Sequence, residues 1–115
     1  MDTSLKNIAE LFSGGKFEQT YPFLADDIQW NIIGEDMLTG KQSVVEFCDR
    51  TALYFSEVTN IFSTYNVIVD GDRVAINGKA EFTNKEGKTT VVSSCDVYVF
   101  DDGKVKEITS YCITK

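Results

Sequence analysis

An α+β fold is what this sequence of 115 residues predicts, and three observations carry the prediction. Apolar residues recur at helical spacing in the first half of the chain. β-Branched and aromatic residues run in long stretches from Asn60 onward. Glycine-bearing turns punctuate that second half at Asp70-Gly71, Lys85-Glu86-Gly87 and Asp101-Asp102-Gly103. Helices followed by a meander of strands make an α+β arrangement rather than an alternating α/β one. No repeat, low-complexity stretch or Pro/Ser-rich linker divides the chain, so residues 1–115 read as a single domain, long enough to bury roughly two thirds of the surface its unfolded form exposes.

The first helix is expected from Thr3 to Phe12, where Leu5, Ile8, Leu11 and Phe12 share one face. Asp2 or Thr3 is placed to cap it and Gly14-Gly15 to stop it. A second helix is expected over 17–24, with Pro22 late in it, where a missing N–H terminates or distorts an ordinary helix. A short strand over 28–33 follows. Thr39 and Gly40 then open a third helix whose apolar stripe, Val44, Phe47, Cys48, Thr51, Ala52 and Phe55, is suited to packing on a sheet. The remaining chain reads as four antiparallel strands over 60–69, 73–83, 89–100 and 104–113.

Turn chemistry fixes a register for these strands. A three-residue loop ending in glycine combines a type I turn with a left-handed position that glycine occupies cheaply. Taking both later turns in that form, Asn84 faces Lys88, which sets Asp96 opposite Ile76, Ser94 opposite Gly78 and Val92 opposite Ala80. On the other side, Asp96 falls opposite Ile108, Ser94 opposite Ser110 and Val92 opposite Cys112. Strand 73–83 is two-faced, with Val74, Ile76, Gly78, Ala80 and Phe82 on its apolar side, so Asp96 lies on that side. Its own strand carries a more hydrophobic alternate set, Val91, Cys95, Val97 and Val99. The conflict resolves if helices cover one face and a second copy covers the other, which predicts a homodimer through the sheet.

Asp96 therefore has two readings. It is a solvated strand carboxylate if the register slips by one residue. Otherwise it is a desolvated acid among small residues, with a raised pKa that suits it to acid/base work. Tyr98, Tyr65 and Trp30 read first as core aromatics.

Composition narrows the chemistry. The chain contains no histidine, which removes Ser-His and Cys-His nucleophiles, His-ligated zinc and an imidazole base. Eleven basic against 18 acidic residues, a formal charge of −7, disfavour nucleic acid and anionic membrane surfaces as partners. No stretch is long and apolar enough to span a membrane, and Met1 to Lys6 lack the layout of a signal peptide. Cys48, Cys95 and Cys112, odd in number and without ligand spacing, predict free thiols and a cytoplasmic location. The acidic groups Asp26-Asp27, Glu35-Asp36 and Asp70-Gly71-Asp72 read as solvated turn charge, so neither a metal nor a cofactor is expected. Ser13-Gly14-Gly15-Lys16 lacks the preceding strand and glycine spacing of a phosphate loop and reads as a helix stop.

Several strings resemble the nuclear-transport-factor-2-like superfamily, in particular its SnoaL-like and ketosteroid-isomerase-like members. They are Leu24 to Trp30 leading into the first strand, Gly34 to Gly40, the helix start Gly40 to Phe47, Val91 to Phe100, and Asp102 to Val105. The resemblance covers essentially the whole chain. It implies a cone-shaped, cystatin-like α+β roll, in which three N-terminal helices pack on a strongly curved, mainly antiparallel sheet around an apolar pocket, commonly in a dimer. Ketosteroid isomerases use an Asp base with an oxyanion hole of Tyr and protonated Asp. Asp96 matches the oxyanion-hole Asp, whereas the base position falls at Asn31 or Ile32 and the tyrosine position near Ile8, so that mechanism is not expected. Dehydratase-like members depend on histidines. Epoxide-hydrolase-like members need an Asp-Arg-Asp group, and Arg50 and Arg73 are the only arginines.

What survives is a SnoaL-like pocket for a small apolar, cyclic or carbonyl-bearing ligand, with Asp96 as the catalytic acid/base if the protein is an enzyme. Trp30, Asn31, Phe47, Cys48, Ser94, Tyr98, Ser110 and Cys112 are expected to shape the pocket. The alternative is a non-enzymatic dimeric module whose interior is filled by its own one Trp, five Tyr and eight Phe. A cavity of at least about 300 Å³ reaching Asp96 marks the first reading and a filled interior the second.

Overall fold

A computed structural model describes residues 4–115. Helix α1 (Leu5–Ser13) begins at Ser4, whose hydroxyl accepts the Asn7 N–H at 3.2 Å; the expected caps Asp2 and Thr3 lie outside the described residues. The helix ends as its glycines dictate. The Gly15 and Lys16 N–H groups return to the Phe12 and Leu11 carbonyls at 3.1 and 2.8 Å while Gly15 takes φ +82°, so two otherwise orphaned carbonyls are satisfied. Ile8, Ala9 and Phe12 are buried.

Helix α2 is a single turn (Phe17–Thr20), continued by a 3-10 turn over Tyr21–Phe23 that contains Pro22. The missing proline N–H thus shortens the second helix, and the chain enters strand β1 (Leu24–Ile32) four residues earlier than the sequence pattern predicts. A three-residue strand, β2 (Met37–Thr39), pairs back on β1 and was not expected. Helix α3 (Lys41–Glu57) starts after Gly40 at φ +91°. It buries Val44 and Cys48 of the expected stripe and half-buries Phe47, Thr51 and Phe55, while Ala52 is exposed. Strands β3 (Thr59–Asp70), β4 (Arg73–Thr83), β5 (Thr89–Asp101) and β6 (Lys104–Thr114) form the meander.

The six strands lie in the order β2-β1-β6-β5-β4-β3, with β1 and β6 parallel and the other pairings antiparallel. This corrects the expected cone-shaped roll with a strongly curved sheet. The sheet is mixed and open, neither strongly curved nor closed. Its two edges are β2, too short to extend the ladder, and β3, whose outer side has no strand partner. The core lies between the helices and the inner sheet face, centred on Phe12, Trp30, Tyr98, Phe100 and Ile108. No described helix is long and apolar enough to cross a membrane.

Register between β4 and β5 is the one the Lys85-Glu86-Gly87 loop dictates. Asn84 N–H donates to Lys88 O at 3.0 Å, and Asp96, Ser94 and Val92 oppose Ile76, Gly78 and Ala80. Between β5 and β6 the expectation is corrected. The turn is a two-residue one, Asp102-Gly103, with both φ values positive (52° and 77°), the left-handed pair a tight hairpin needs. A bulge then leaves Lys106 unmatched between Val105 and Glu107. The two effects each displace the register by one residue in the same direction, so Asp96 opposes Ser110 and Ser94 opposes Cys112. A displacement of two keeps every side chain on its predicted face.

A second bulge, in β3, leaves Tyr65 unpaired between Thr64 and Asn66. Tyr65 is consequently 58% exposed rather than a core aromatic. Close by, the Ser63 carbonyl sits against Gly78, where an added Cβ would overlap it. Gly78→Ala is therefore expected to lower stability by about 1–3 kcal/mol through overpacking against rigid backbone. Denaturant unfolding checks this, and an unchanged midpoint would contradict the close approach.

Candidate functional site

The inner face of β5 carries Ser94, Asp96 and Tyr98 in alternation, a direct result of the two-residue strand period. A carboxylate placed there needs donors; α1 and β6 bring hydroxyls to it, and β1 supports one of these. Ser13, in the last turn of α1, donates its hydroxyl to Asp96 Oδ2 at 2.8 Å and lies 2.5 Å from the Tyr98 hydroxyl. Ser110 is paired opposite Asp96 on β6, and its hydroxyl favours the charged form of the carboxyl. Ser110 in turn accepts the Trp30 Nε1–H of β1 at 2.9 Å. The result is a continuous chain of polar contacts, Tyr98 to Ser13 to Asp96 to Ser110 to Trp30, through an otherwise apolar interior.

In front of this chain lies a cavity of about 230 Å³ reaching Asp96, Ser13 and Ser110. Two aromatic groups bound it. Phe12 meets Trp30 edge-on at 5.1 Å and Trp30 meets Phe47 at 5.2 Å. Phe55 stacks on Phe82 at 5.1 Å with 15° between planes, and Phe62 packs on both at 5.5 and 5.9 Å. Glu35, from the β1–β2 connection, and Cys112, from β6, complete the lining; both are exposed residues and mark the mouth. The volume falls between the two expected outcomes, since the aromatic side chains fill part of the interior without closing it. A larger cleft of about 440 Å³ between α2 and α3, lined by residues including Lys16, Glu18, Tyr21 and Asp49, does not reach Asp96. Apart from buried Phe17, its walls are exposed or half-exposed groups.

Burial raises the Asp96 carboxyl above its ordinary range, opposed by the hydrogen bonds from Ser110 and Ser13, which favour the charged form. Tyr98, fully buried and beside Asp96, is held well above the usual phenol value and stays protonated. The Cys112 thiol is raised by burial and then by the carboxylates of Asp96 and Glu35. Cys48, buried under α3, is pushed up to about 12 by desolvation and the nearby Asp49, which makes it an inert packing thiol.

Of the residues expected at the site, Asp96, Trp30, Phe47, Ser94, Ser110 and Cys112 line the cavity. Tyr98 stands behind it and acts through Ser13. Cys48 is buried outside the lining, and Asn31 points to the opposite face of β1, into a surface recess with Gln29 and Met37. The sequence reading missed Ser13 and Glu35. Ser13 lies one helical turn beyond the Ala9 and two beyond the Leu5 of α1, a spacing that puts it on the same helix face as well as in the helix stop.

Comparison with known proteins gives three results. The family model described as a SnoaL-like domain matches residues 5–108. No curated protein matches. Among solved structures, an NTF2-like protein of unknown function from Cytophaga hutchinsonii is similar at 38% identity, over 93% of this chain and 94% of that one, with a TM-score of 0.85. A Mycobacterium tuberculosis LEH-like epoxide hydrolase shares the fold at 17% identity, over 95% and 82% of the two chains, with a TM-score of 0.75. An NTF2-like protein of unknown function from Burkholderia pseudomallei does so at 15% identity, over 96% and 90%, with a TM-score of 0.71.

The raised Asp96 pKa has a consequence for stability with a definite sign. A carboxyl whose folded pKa exceeds its unfolded one contributes stability below the unfolded value and loses it as pH rises through the folded value. Asp96→Asn cannot ionise. The stability of this variant relative to wild type is expected to improve from pH 4 to pH 7, as measured by denaturant unfolding at both. A constant difference would show that burial does not perturb Asp96.

Proposed function

The chain belongs to the SnoaL-like domain family of the NTF2-like superfamily, and we propose that it binds a small apolar, cyclic or carbonyl-bearing molecule in the aromatic cavity, with Asp96 as the group that moves a proton there. The observation that carries this reading is the placement of one carboxyl at the inner end of a ring-lined cavity, held by two hydroxyls. At about 230 Å³ the cavity is smaller than the roughly 300–1,000 Å³ of most ligand pockets, which suits a ligand of modest size.

The chemistry available is acid/base transfer at carbon next to a carbonyl. As a base, Asp96 accepts the proton from carbon and the electron pair moves to the carbonyl oxygen. As the resulting acid, it returns the proton to another atom of the same molecule. Ser13 and Ser110 stabilise its charged state, burial favours its neutral state, and the opposition keeps both accessible. An isomerase, cyclase or lyase of this type needs no cofactor. The arrangement differs from a ketosteroid isomerase. Ile8, in the tyrosine position, is buried core, and Asn31 and Ile32, in the base position, offer no acid group near the cavity.

A second reading, a non-enzymatic sensing or interaction module, is favoured by one observation: the Phe55, Phe62 and Phe82 rings pack on one another between α3 and strands β3 and β4. Both readings share a homodimer through the outer sheet face, where Ile61, Ile68, Tyr111 and Ile113 are 49–66% exposed on strands β3 and β6. The three free cysteines support a reducing, cytoplasmic setting.

Two measurements test these proposals. NMR titration of the Asp96 carboxyl is expected to give a pKa above the ordinary value of about 3.9, and Ser13→Ala to raise it further by removing a donor to the charged form. An ordinary value would sink the acid/base assignment. Sedimentation is expected to give twice the 12.9 kDa chain mass. Tyr111→Glu, which places a charge on the outer face, is expected to give monomers; a monomeric wild type would remove the dimer.

A further inference from the structure

Among the described residues Asp96 has no counter-ion: the ion pairs join Lys79 to Glu81 and Lys106 to Asp27 and Asp101, all at solvent-accessible positions. No lysine or arginine lines the aromatic cavity, which instead carries a second carboxylate, Glu35, at its mouth. An anionic ligand would meet two negative groups and no base there, in a chain already carrying −7.

The direction of the hydrogen bonds adds to this. The Trp30 indole can only donate, so its Nε1–H occupies a lone pair of Ser110 and leaves the Ser110 proton for Asp96. Ser13 has one hydroxyl proton and gives it to Asp96 Oδ2, so in its contact with Tyr98 the tyrosine is the donor. Both sides therefore aim protons at the carboxyl, an arrangement that suits its charged form. A carboxylate accepts about four hydrogen bonds, which leaves capacity toward the cavity after Ser13 and Ser110 are counted. Most of the remaining wall is apolar, and rings dominate it. Phe12, Trp30 and Phe47 on one side and Phe55, Phe62 and Phe82 on the other present π-systems that attract a cation.

We propose that the cavity selects a small ring-bearing amine in its ammonium form, with the N–H groups on Asp96 and the hydrocarbon ring between the aromatic walls. The inference rests on the cavity being a ligand site and narrows the ligand from apolar in general to cationic. It has three supports independent of one another: the absence of a base from the lining, the donor directions around Asp96, and the aromatic enclosure. The thiol of Cys112 and the carboxylate of Glu35 at the mouth reinforce the same polarity, since neither carries positive charge in any protonation state.

The test titrates the wild-type protein at pH 7 with benzylamine, benzyl alcohol, benzoate and cyclohexanone, following the backbone amide signals of Ser13, Asp96 and Ser110. Benzylamine is expected to bind at least about tenfold more tightly than the isosteric alcohol, through a charge-assisted hydrogen bond, and benzoate not to bind. Asp96→Asn is expected to abolish the margin while leaving the alcohol in place. Equal or tighter binding of the alcohol or the ketone in wild type overturns the amine assignment and leaves the ligand site standing. So does benzylamine that shifts only surface carboxylate neighbours while a neutral probe shifts the cavity residues. No cavity shift with any of the four overturns both. Should the variant fail to fold, the wild-type ranking of amine against alcohol decides alone.

Discussion

A carboxylate on the inner face of a sheet is the constraint on which the rest of this structure turns. Desolvating such a group without partners costs several kcal/mol, so the fold has to deliver donors to one point from distant parts of the chain. It does so from α1, through Ser13, and from β6 and β1, through Ser110 and Trp30. The parallel pairing of β1 with β6 sets Trp30 beside Ile108 and Ile32 beside Ser110, which brings the indole N–H within reach of the Ser110 hydroxyl. The two-glycine stop of α1 matters for the same reason: ending the helix at Ser13 leaves that hydroxyl in the last turn, facing β5.

Aromatic packing then decides how much room remains. Phe12 is the centre of the closed part, with ring contacts to Phe17, Trp30 and Tyr98 at 5.0, 5.1 and 6.0 Å. Phe55 is the centre of the open part, stacked near Phe17 and Phe82 and edge-on to Phe62. The cavity is the space between these two groups. Gly15 abuts the open part, and a Cβ there would come within 3.2 Å of the Phe55 and Phe62 rings, so its positive φ and its lack of a side chain serve both the helix stop and the ring packing.

Much of this was legible in the sequence because it follows from local rules. The period-two alternation of 73–83, the Asn84 loop and the Gly14-Gly15 stop depend on residues close in the chain, and each appears in the structure where local chemistry puts it. The β1–β6 parallel pairing and the placement of Ser13 depend on contacts across about eighty residues, which neither periodicity nor turn chemistry encodes, and β2 is three residues long, too short to show a period. The closed, strongly curved shape came from family likeness rather than from residues, and it is the part that fails: the sheet is open. Asn31 fails for a simpler reason, since it alternates with Trp30 and Ile32 along β1 and so faces the other way.

The β5–β6 hairpin places the site in a register two residues from the one its turn sequence implies. The turn is one residue shorter than expected and a bulge at Lys106 adds a second displacement, so the pairing partner of Asp96 changes from Ile108 to Ser110. Had the short turn occurred without the bulge, β6 beyond Val105 would present its opposite face to the helices, exposing Ile108 and withdrawing Ser110 from Asp96. Because Val105 and Ile108 are both almost wholly buried, the bulge has to lie between them, and their spacing of three residues on one inward face is the sequence trace of it. The same two-residue displacement that replaces an isoleucine with a serine opposite the carboxyl also gives Asp96 its second hydroxyl donor. The polar chain from Tyr98 to Trp30 is therefore complete only in the register that the short turn and the bulge produce together.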